Sequence, residues 1–330
     1  MAKREQTDRP SGKALERVAR GLFPDESDRA RFVMAVDSGD CRRQGVIWLN
    51  ARPLPFPFRL GPRPGWLPDF ADLLDSRERP GSHELHESGA LYSLDGSSIF
   101  EAASLMEIPI DSPRVLDLCA SPGGKSVFAW RRLRPSQLIA NEVIGKRSAA
   151  LISNLERCNV SASVVRADVS VLAERWPQAF DVVIVDAPCS GQSLVARGQK
   201  APGCFHPSTV NRNSNRQKRV LGTAAGLVAG GGFLAYMTCT YSPEENERVI
   251  EWFLKRYPEF MALPVRALVA NASNLTDVPA YRLFPEEGFG AGGFCALLQN
   301  TSDRPRREVS TASIRLREIC PRTALRRLSE

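Results

Sequence analysis

The stretch that decides the fold is Val115-Leu116-Asp117-Leu118-Cys119-Ala120-Ser121-Pro122-Gly123-Gly124-Lys125-Ser126. Its first residues are mostly apolar, as is typical of a strand covered on both faces in a parallel sheet. The Pro-Gly-Gly segment ends that strand and lets the backbone approach a ligand closely. Phe128, Ala129 and Leu133 then indicate the apolar face of a helix. A strand, a glycine turn and a helix N-terminus predict a site for an adenosyl or phosphate group.

Spacing excludes two common versions of such a site. Gly124-Lys125-Ser126 matches the end of a P-loop, but that motif needs an earlier glycine at the position of Cys119. The G-x-G-x-x-G pattern of a dinucleotide site is missing as well. The loop therefore indicates a ligand site but not the class of ligand, and a plain strand–turn–helix connection stays the alternative.

The composition is that of a globular protein of 330 residues, long enough for one large domain and a smaller one. Because there is no run of about 18 apolar residues and no signal peptide, we expect a cytoplasmic protein that does not contact membranes. We also expect a monomer. Its eight cysteines are expected to be thiols. A set made of Cys189, Cys204, His206 and Cys239 matches no standard zinc spacing, so we predict no metal.

Basic residues are concentrated in two segments of a chain whose net charge is +7. Residues 187–243 contain no acid, and their basic residues are Arg197, Lys200, Arg212, Arg216, Lys218 and Arg219. The second cluster lies near the C-terminus and consists of Arg304, Arg306, Arg307, Arg315, Arg317, Arg322, Arg326 and Arg327. Such clusters fit a polyanion such as RNA, although a basic face that meets only solvent would look the same.

The order of the elements predicts two folded parts and a tail. Residues 1–105 are expected to form a small N-terminal α/β module with a proline-rich connection at 51–68. Contact with RNA is one possible role of this module. The main domain is expected at 106–300 and a basic tail at 301–330. Within the module, the expected elements are helices at 14–20 and 28–36 and a strand at 45–50.

In the main domain, apolar strands alternate with helices. This order predicts a mostly parallel α/β sheet with helices on both faces. The strands are expected at 115–118, 137–141, 163–166, 180–185, 233–237 and 292–298. Gly230-Gly231-Gly232 is expected to end the helix that precedes the fifth strand.

Acidic residues mark the ends of the first four strands, namely Asp117, Glu142, Asp168 and Asp186. Ligands of open α/β sheets bind at the carboxyl ends of the strands. Glu142 lies 18 residues past Gly124, close to the spacing of about 20 that suits a carboxylate on ribose hydroxyls. Asp168 would then be placed for an adenine amine. Each acid alone could equally be a cap or turn residue.

Cysteines follow the fourth and fifth strands, in Asp186-Ala187-Pro188-Cys189-Ser190-Gly191 and Thr238-Cys239-Thr240-Tyr241-Ser242-Pro243. Both thiols should lie at the same sheet edge as the glycine loop. Nearby basic residues and a helix N-terminus would lower the pKa of both and make them nucleophiles. Cysteine is more often a buried core residue, and this is our interpretation of Cys41, Cys158, Cys295 and Cys320.

The glycine loop, the two cysteine motifs and Glu244-Glu245-Asn246-Glu247 together resemble the Sun-type (RsmB-like) family of RNA cytosine-5 methyltransferases. The resemblance covers about residues 85–300. The resemblance implies a Rossmann-like class I methyltransferase fold and S-adenosyl-L-methionine as cofactor. It also implies that the substrate is a single-stranded or flipped-out cytosine of rRNA or tRNA.

The resemblance implies roles for individual residues. Cys239 would add to carbon 6 of cytosine, Asp186 would donate a hydrogen bond or proton at ring nitrogen 3, and Cys189 would help release the product. Lys125 would meet the carboxylate end of the cofactor or the RNA backbone. The basic residues between 197 and 219 would bind phosphates. The implied cofactor-binding residues are Cys119, Ala120, Ser121, Pro122, Gly123, Gly124, Lys125, Glu142, Arg147, Asp168 and Asp186.

Two segments depart from the family pattern. A Pro-Asp-x-Lys-Trp segment often follows the Pro-Cys motif, whereas residues 197–207 here read Arg-Gly-Gln-Lys-Ala-Pro-Gly-Cys-Phe-His-Pro. The late Asp-Gly-Phe-Phe motif is replaced by Ala-Gly-Gly-Phe-Cys at Ala291–Cys295. We expect the first departure to affect substrate specificity, and the missing acid of the second to alter the pocket for the base.

Three other functions stay open at this point. A DNA cytosine-5 methyltransferase also uses a Pro-Cys nucleophile, but it would not require the second cysteine motif. A non-catalytic RNA-binding factor could retain the fold. A small-molecule methyltransferase is the third, and the acid-free basic segment argues against it.

Overall fold

A computed structural model describes residues 12–309 and 316–319 of the chain. The helices of this part are α1 (Gly12–Leu22), α2 (Glu26–Ser38), α3 (Glu84–Glu87), α4 (Gly96–Ala102), α5 (Gly124–Leu133), α6 (Gly145–Arg157), α7 (Val169–Arg175), α8 (Ser193–Ala196), α9 (Pro207–Ala225) and α10 (Glu247–Arg256). Short 3-10 helices lie at Pro80–Ser82, Ala103–Glu107, Arg266–Asn271 and Pro285–Glu287.

The strands form two sheets. They are β1 (Gln44–Trp48), β2 (Ala71–Leu73), β3 (Leu91–Asp95), β4 (Arg114–Asp117), β5 (Gln137–Asn141), β6 (Ala162–Val165), β7 (Phe180–Asp186), β8 (Val228–Thr238), β9 (Phe260–Leu263), β10 (Tyr281–Leu283), β11 (Gly293–Asn300) and β12 (Leu316–Ile319). The first three form an antiparallel sheet in the order β2-β1-β3. The others form a nine-stranded sheet in the order β10-β11-β8-β7-β4-β5-β6-β12, in which β9 also pairs with β11.

The centre of the large sheet is parallel, from β8 through β7, β4 and β5 to β6. Its flanking strands β9, β10, β11 and β12 are antiparallel. The strand order reverses at β4, which pairs with β5 on one side and β7 on the other. This arrangement puts the loop after β4 at the point where ligands bind in open α/β sheets.

Alternate residues of the central strands fill two separate cores. Val115 packs on one face with Phe128 of α5, and Leu116 packs on the other with Leu221 of α9. Both strand residues are fully buried. The expected parallel sheet covered on both faces is therefore confirmed, because the period-two alternation sends successive apolar side chains to opposite sides.

The N-terminal helices pack against the loops that follow the large sheet. Leu15 of α1 and Phe32 of α2 share a core with Phe205 and Tyr241. The ring of Phe32 packs edge-on against that of Tyr241, with 5.0 Å between the two ring centroids. Tyr241 lies two residues past Cys239, so this packing supports one of the cysteine loops from behind.

The structure corrects one expected boundary. Gly230, Gly231 and Gly232 lie inside β8, which begins at Val228, and they do not separate a helix from a strand. A Cβ atom at Gly230 would lie 2.3 Å from the carbonyl oxygen of Ser302. The amide of Gly230 donates to the carbonyl of Arg304 at 3.0 Å. Glycine is needed there because the chain after β11 crosses the strand closely.

The segment expected to be a basic tail contributes the edge strand β12, which pairs with β6. Two of its described arginines are in ion pairs: Arg306 with Asp181 at 2.5 Å and Arg317 with Glu156 at 2.7 Å. Four other arginines of this basic cluster lie outside the described residues, namely Arg315, Arg322, Arg326 and Arg327. Cys320 lies outside them as well.

Candidate active site at the carboxyl edge of the sheet

The glycine loop connects β4 to α5 and is held by backbone bonds on two sides. The amide of Leu118 donates to Ile184 at 2.9 Å, and the amide of Ala120 donates to Asn141 at 2.9 Å. Gly123 has a φ of 117°, a conformation that favours glycine. The loop is therefore fixed to the strands on both sides before α5 begins at Gly124.

Arg147, predicted together with Glu142 to hold the cofactor, reaches this loop. A guanidinium nitrogen of Arg147 donates to the carbonyl of Ser121 at 2.8 Å, and the Ser121 hydroxyl donates to the carbonyl of Arg147 at 2.9 Å. Arg147 also lies 3.5 Å from the carboxylate of Glu142. The two residues that follow Glu142, Val143 and Ile144, are apolar and about half exposed.

Asn141 joins the ends of three strands at this edge. Its amide nitrogen donates to the carbonyl of Leu118 at 3.0 Å, and its amide oxygen accepts from the amide of Ala167 at 3.0 Å. Asp168 follows directly and caps α7 by accepting from Ser170. Those hydrogen bonds lower the pKa of Asp168. Asp168 thus combines an exposed carboxylate with a capping role.

Asp117 is the most buried of the four acids that were predicted at the strand ends. It is fully buried and accepts from the hydroxyl of Ser126 at 2.7 Å. Burial raises the pKa of Asp117 to about 7. Burial likewise raises the pKa of Cys119, two residues later, to about 12. Cys119 is therefore a neutral thiol at neutral pH. Its place in the loop depends on its backbone and its small size, and not on a thiolate.

The two cysteine loops meet above β7 and β8. The sulfurs of Cys189 and Cys239 are 3.1 Å apart. The amide of Ala187 donates to Met237 at 2.8 Å, and the amide of Ser193 donates to the carbonyl of Cys239 at 3.2 Å. The expectation that both thiols share one edge is confirmed, because adjacent parallel strands end side by side.

Two residues of the Glu-Glu-Asn-Glu segment hold these loops together. Glu245 is fully buried and accepts from the amide of Ser190 at 2.8 Å and from the side chain of Gln217 at 3.0 Å. Asn246 donates to the carbonyl of Thr240 at 2.9 Å and accepts from the Thr238 hydroxyl at 2.5 Å. No role was predicted for this segment from the sequence. Its polar residues next to a cysteine loop were the available signal.

The two thiols differ in acidity, which corrects the expectation that both are acidic. A hydrogen bond from Cys189 lowers the pKa of Cys239, with help from the charges of Arg197 and Lys125, although burial and Asp186 oppose the shift. The same bond, together with burial, raises the pKa of Cys189. One sulfur of the pair is therefore favoured as the thiolate and the other as the thiol that donates to it.

Lys125 contacts two carboxylates in the described chain. Its ammonium nitrogen lies 2.5 Å from Glu101 and 3.3 Å from Asp186. Lys125 and Glu101 are both buried. Glu101 was not predicted from the sequence, because it precedes Lys125 by 24 residues on a helix with no motif around it. The expected contact of Lys125 with cofactor or RNA stays a prediction.

The predicted RNA-binding residues differ in their exposure and in their contacts. Lys200, Arg212, Arg216 and Arg219 are exposed. Lys218 lies over the ring of Trp252 at 5.9 Å. Arg197, by contrast, is half-buried and forms an ion pair with Asp95 at 3.4 Å.

The exposed arginines of α9 border the glycine-loop side of the site. The charge of Arg219 helps to lower the pKa of Asp168, and that of Arg216 opposes the rise in the pKa of Cys119. Residues 212, 216 and 219 follow helical spacing, so they share one face of α9.

The described residues give two further negative findings. Within 12–309 and 316–319, three or more His, Cys, Asp or Glu side chains never come together in a way that could ligate a metal ion. In the same part of the chain, no helix combines the length and apolar character needed to span a bilayer.

Comparison with known proteins gives a family match over most of the main domain. The family described as "16S rRNA methyltransferase RsmB/F" matches residues 105–299. A curated relative, ribosomal RNA small subunit methyltransferase F of Klebsiella pneumoniae (strain 342), is 33% identical over 226 residues, which cover 67% of this chain and 47% of the relative. The chain spans about half the length of the curated relatives it matches.

Two solved structures show the same fold. A methyltransferase homolog protein from Pyrococcus horikoshii has a TM-score of 0.71 at 22% identity, over 88% of this chain and 99% of that one. NSun6 from Pyrococcus horikoshii with SFG has a TM-score of 0.60 at 22% identity, over 68% of this chain and 57% of that one. The expected Rossmann-like class I methyltransferase fold is therefore confirmed.

Proposed function

Because this chain belongs to the 16S rRNA methyltransferase RsmB/F family, we propose that it methylates carbon 5 of a cytosine in small-subunit ribosomal RNA. The observation that carries the proposal is the pair of sulfurs 3.1 Å apart at the carboxyl edge of the sheet. Their pKa values are shifted in opposite directions. Such a pair suits a reaction that needs a thiolate first and a second acid–base group later.

Carbon 5 of cytosine is a poor nucleophile, and the first step activates it. The thiolate of Cys239 forms a bond to carbon 6, and the electron pair of the 5,6 double bond becomes available at carbon 5. Asp186, as a carboxylic acid, donates a hydrogen bond or proton at ring nitrogen 3 and offsets the charge that develops on the ring. Its side chain is 35% exposed, so that a base can reach it from the open edge.

Cys189 is suited to the second half of the reaction. The hydrogen bond to Cys239 is the leading cause of its raised pKa. Once the sulfur of Cys239 is bonded to carbon 6, that sulfur no longer carries charge, and Cys189 ionises more easily. Cys189 can then take the proton from carbon 5. The electron pair left at carbon 5 re-forms the double bond, and the sulfur of Cys239 leaves as a thiolate.

The cofactor of the family is S-adenosyl-L-methionine, which supplies an electrophilic methyl group when it is bound. The residues at the end of β5 fit such a group. Glu142 offers a carboxylate for ribose hydroxyls, and the half-exposed side chains of Val143 and Ile144 offer an apolar surface for a purine ring. The remaining cofactor-binding residues proposed are Cys119, Ala120, Ser121, Pro122, Gly123, Gly124, Lys125, Arg147, Asp168 and Asp186.

RNA binding is assigned to the exposed basic residues next to this edge. Lys200, Arg212, Arg216 and Arg219 would contact phosphates. The reacting cytosine must leave its stack, because carbon 6 is closed to a sulfur nucleophile within a helix. A DNA cytosine-5 methyltransferase would not need the second thiol, so the paired sulfurs favour RNA as the substrate.

Bisulfite sequencing of total RNA tests the proposal. A strain that lacks this gene should lose one or a few 5-methylcytosines of 16S rRNA, and the wild-type gene should restore them. A gene with Cys239→Ala should not restore them. An unchanged 5-methylcytosine pattern in the deletion strain would contradict the proposed function.

A further inference from the structure

Glu101, a carboxylate that the proposed mechanism leaves unassigned, is buried beside the active site. It lies on α4 with its side chain 3% exposed, and its Oε2 is 2.5 Å from the ammonium nitrogen of Lys125. The same nitrogen is 3.3 Å from Oδ2 of Asp186, whose side chain is 35% exposed. One cation therefore joins a carboxylate that is closed off from solvent to another at the open edge.

The space for Glu101 is provided by Gly293, the first residue of β11. A Cβ atom at this position would lie 2.0 Å from Oε1 of Glu101. Any other residue would therefore have to displace the carboxylate. The backbone of Gly293 is not in the left-handed region, so it is the occupied space, and not conformation, that requires glycine here.

The charges of this cluster depend on one another. Burial raises the pKa of Glu101 to about 8, against the attraction of Lys125 and with support from Asp186 and Cys239. Burial lowers the pKa of Lys125, but Asp186 and Glu101 outweigh it and hold that pKa above its ordinary value. The groups that face Glu101 are Lys125 on α5, Asp186 at the end of β7, Cys239 after β8 and Cys295 on β11.

We propose that Glu101 is a positioning residue for methyl transfer, which fixes the ammonium of Lys125 between itself and Asp186. The inference rests on the proposed function, in which Asp186 acts on the cytosine ring. Held in this way, Lys125 stays beside Asp186 and also helps to lower the pKa of Cys239. Without an acceptor at position 101, the flexible lysine would keep the partly exposed Asp186 as its one carboxylate partner among the described residues.

Two substitutions of similar volume separate positioning from packing. Glu101→Gln keeps an acceptor for Lys125, whereas Glu101→Met fills the space without one. We expect Glu101→Met to lower kcat roughly 10-fold or more with KM nearly unchanged, and Glu101→Gln to stay within about threefold of wild type at pH 7. Glu107→Gln, in an ion pair with the exposed Arg266, is the matched control. Equal kcat values for the Met and Gln variants would overturn the proposal.

Gly293→Ala tests the space that Glu101 occupies. It should displace the carboxylate and lower kcat as Glu101→Met does. The double variant should lose little more than either single one, because both act on the same contact. Gly65→Ala is the control, since a Cβ atom there meets nothing within 4 Å. Losses that add fully would show that the two residues act separately.

Alkylation of Cys239 by iodoacetamide separates this proposal from the proposed function, because it needs no RNA. Glu101→Met should move the midpoint of the alkylation–pH curve upward. If wild type methylates no RNA but the midpoint moves, the positioning role stands and the proposed function fails. If RNA is methylated while neither kcat nor the midpoint responds, the positioning role fails.

Discussion

The loops after β7 and β8 are similar in sequence and place, yet their thiols are opposite in character. Each loop follows an apolar strand, and each carries one cysteine at the carboxyl edge of the sheet. Cys239 has a lowered pKa and Cys189 a raised one. The difference arises from their mutual hydrogen bond and from the cations that face Cys239. The acidity of each cysteine is therefore set by its neighbours more than by its own motif.

Replacing the two cysteines separately should have the largest effect. Cys239→Ala removes the proposed nucleophile and should lower methyl transfer by on the order of 10³-fold or more. Cys189→Ala should still form the covalent adduct with RNA and release it slowly, so the adduct accumulates on a denaturing gel. Radiolabel transfer and gel shift measure both effects. If Cys189→Ala abolishes the adduct and Cys239→Ala keeps turnover, the two roles are exchanged.

Glu245→Ala tests how far the two loops depend on a common support. It leaves the amide of Ser190 and the side chain of Gln217 without their acceptor, at a cost of about 1–3 kcal/mol in the free energy of unfolding. Misplaced sulfurs should lower kcat by roughly 10- to 100-fold. Denaturant unfolding and single-turnover kinetics measure these changes.

The neighbouring Glu244 provides the control for that substitution. It forms an exposed ion pair with Arg248 at 3.1 Å, so Glu244→Ala should cost well under about 1 kcal/mol. Equal effects at positions 244 and 245 would show that Glu245 does not support the loops.

Arg197→Met should weaken the difference between the thiols. The charge of Arg197 helps to lower the pKa of Cys239, so its loss should raise that pKa and reduce the thiolate fraction at neutral pH. We expect kcat to fall by about two- to tenfold and the alkylation midpoint of Cys239 to move upward. Arg266→Met, at an exposed position, is the control. A change confined to KM for RNA would instead place Arg197 among the phosphate contacts.

The exposed arginines of α9 should have the smallest effects. Arg212→Gln, Arg216→Gln and Arg219→Gln should each weaken RNA binding a few-fold and reduce the slope of log K against log salt by about 0.7. Filter binding at several salt concentrations measures the slope. Arg256→Gln, on α10, is the control. An unchanged slope in all three variants would mean that RNA follows another path.

The sheet and the edge where the site lies were predictable because apolar strands, glycine turns and strand-end acids are local patterns. β5 agrees with its predicted bounds, and Arg147 does reach the glycine loop. Local patterns could not show which cysteine is acidic, because this depends on a contact of 3.1 Å between residues 50 positions apart.

Other parts of the site depend on tertiary contacts in the same way. Glu101 is brought to Lys125 only when α4 packs on α5. Arg197 belongs to a basic cluster in sequence, but the fold turns it toward Asp95. The glycines of β8 look like a helix stop, whereas they allow the later chain to cross the strand.

The most direct test of the central claim is to identify the cysteine that binds the substrate. RNA containing 5-azacytosine traps the nucleophile, and trypsin separates Cys189, in residues 176–197, from Cys239, in residues 220–248. Mass spectrometry of the trapped complex should find the nucleotide on the peptide of residues 220–248. A nucleotide on the peptide of residues 176–197 would contradict the assignment of Cys239 as the nucleophile.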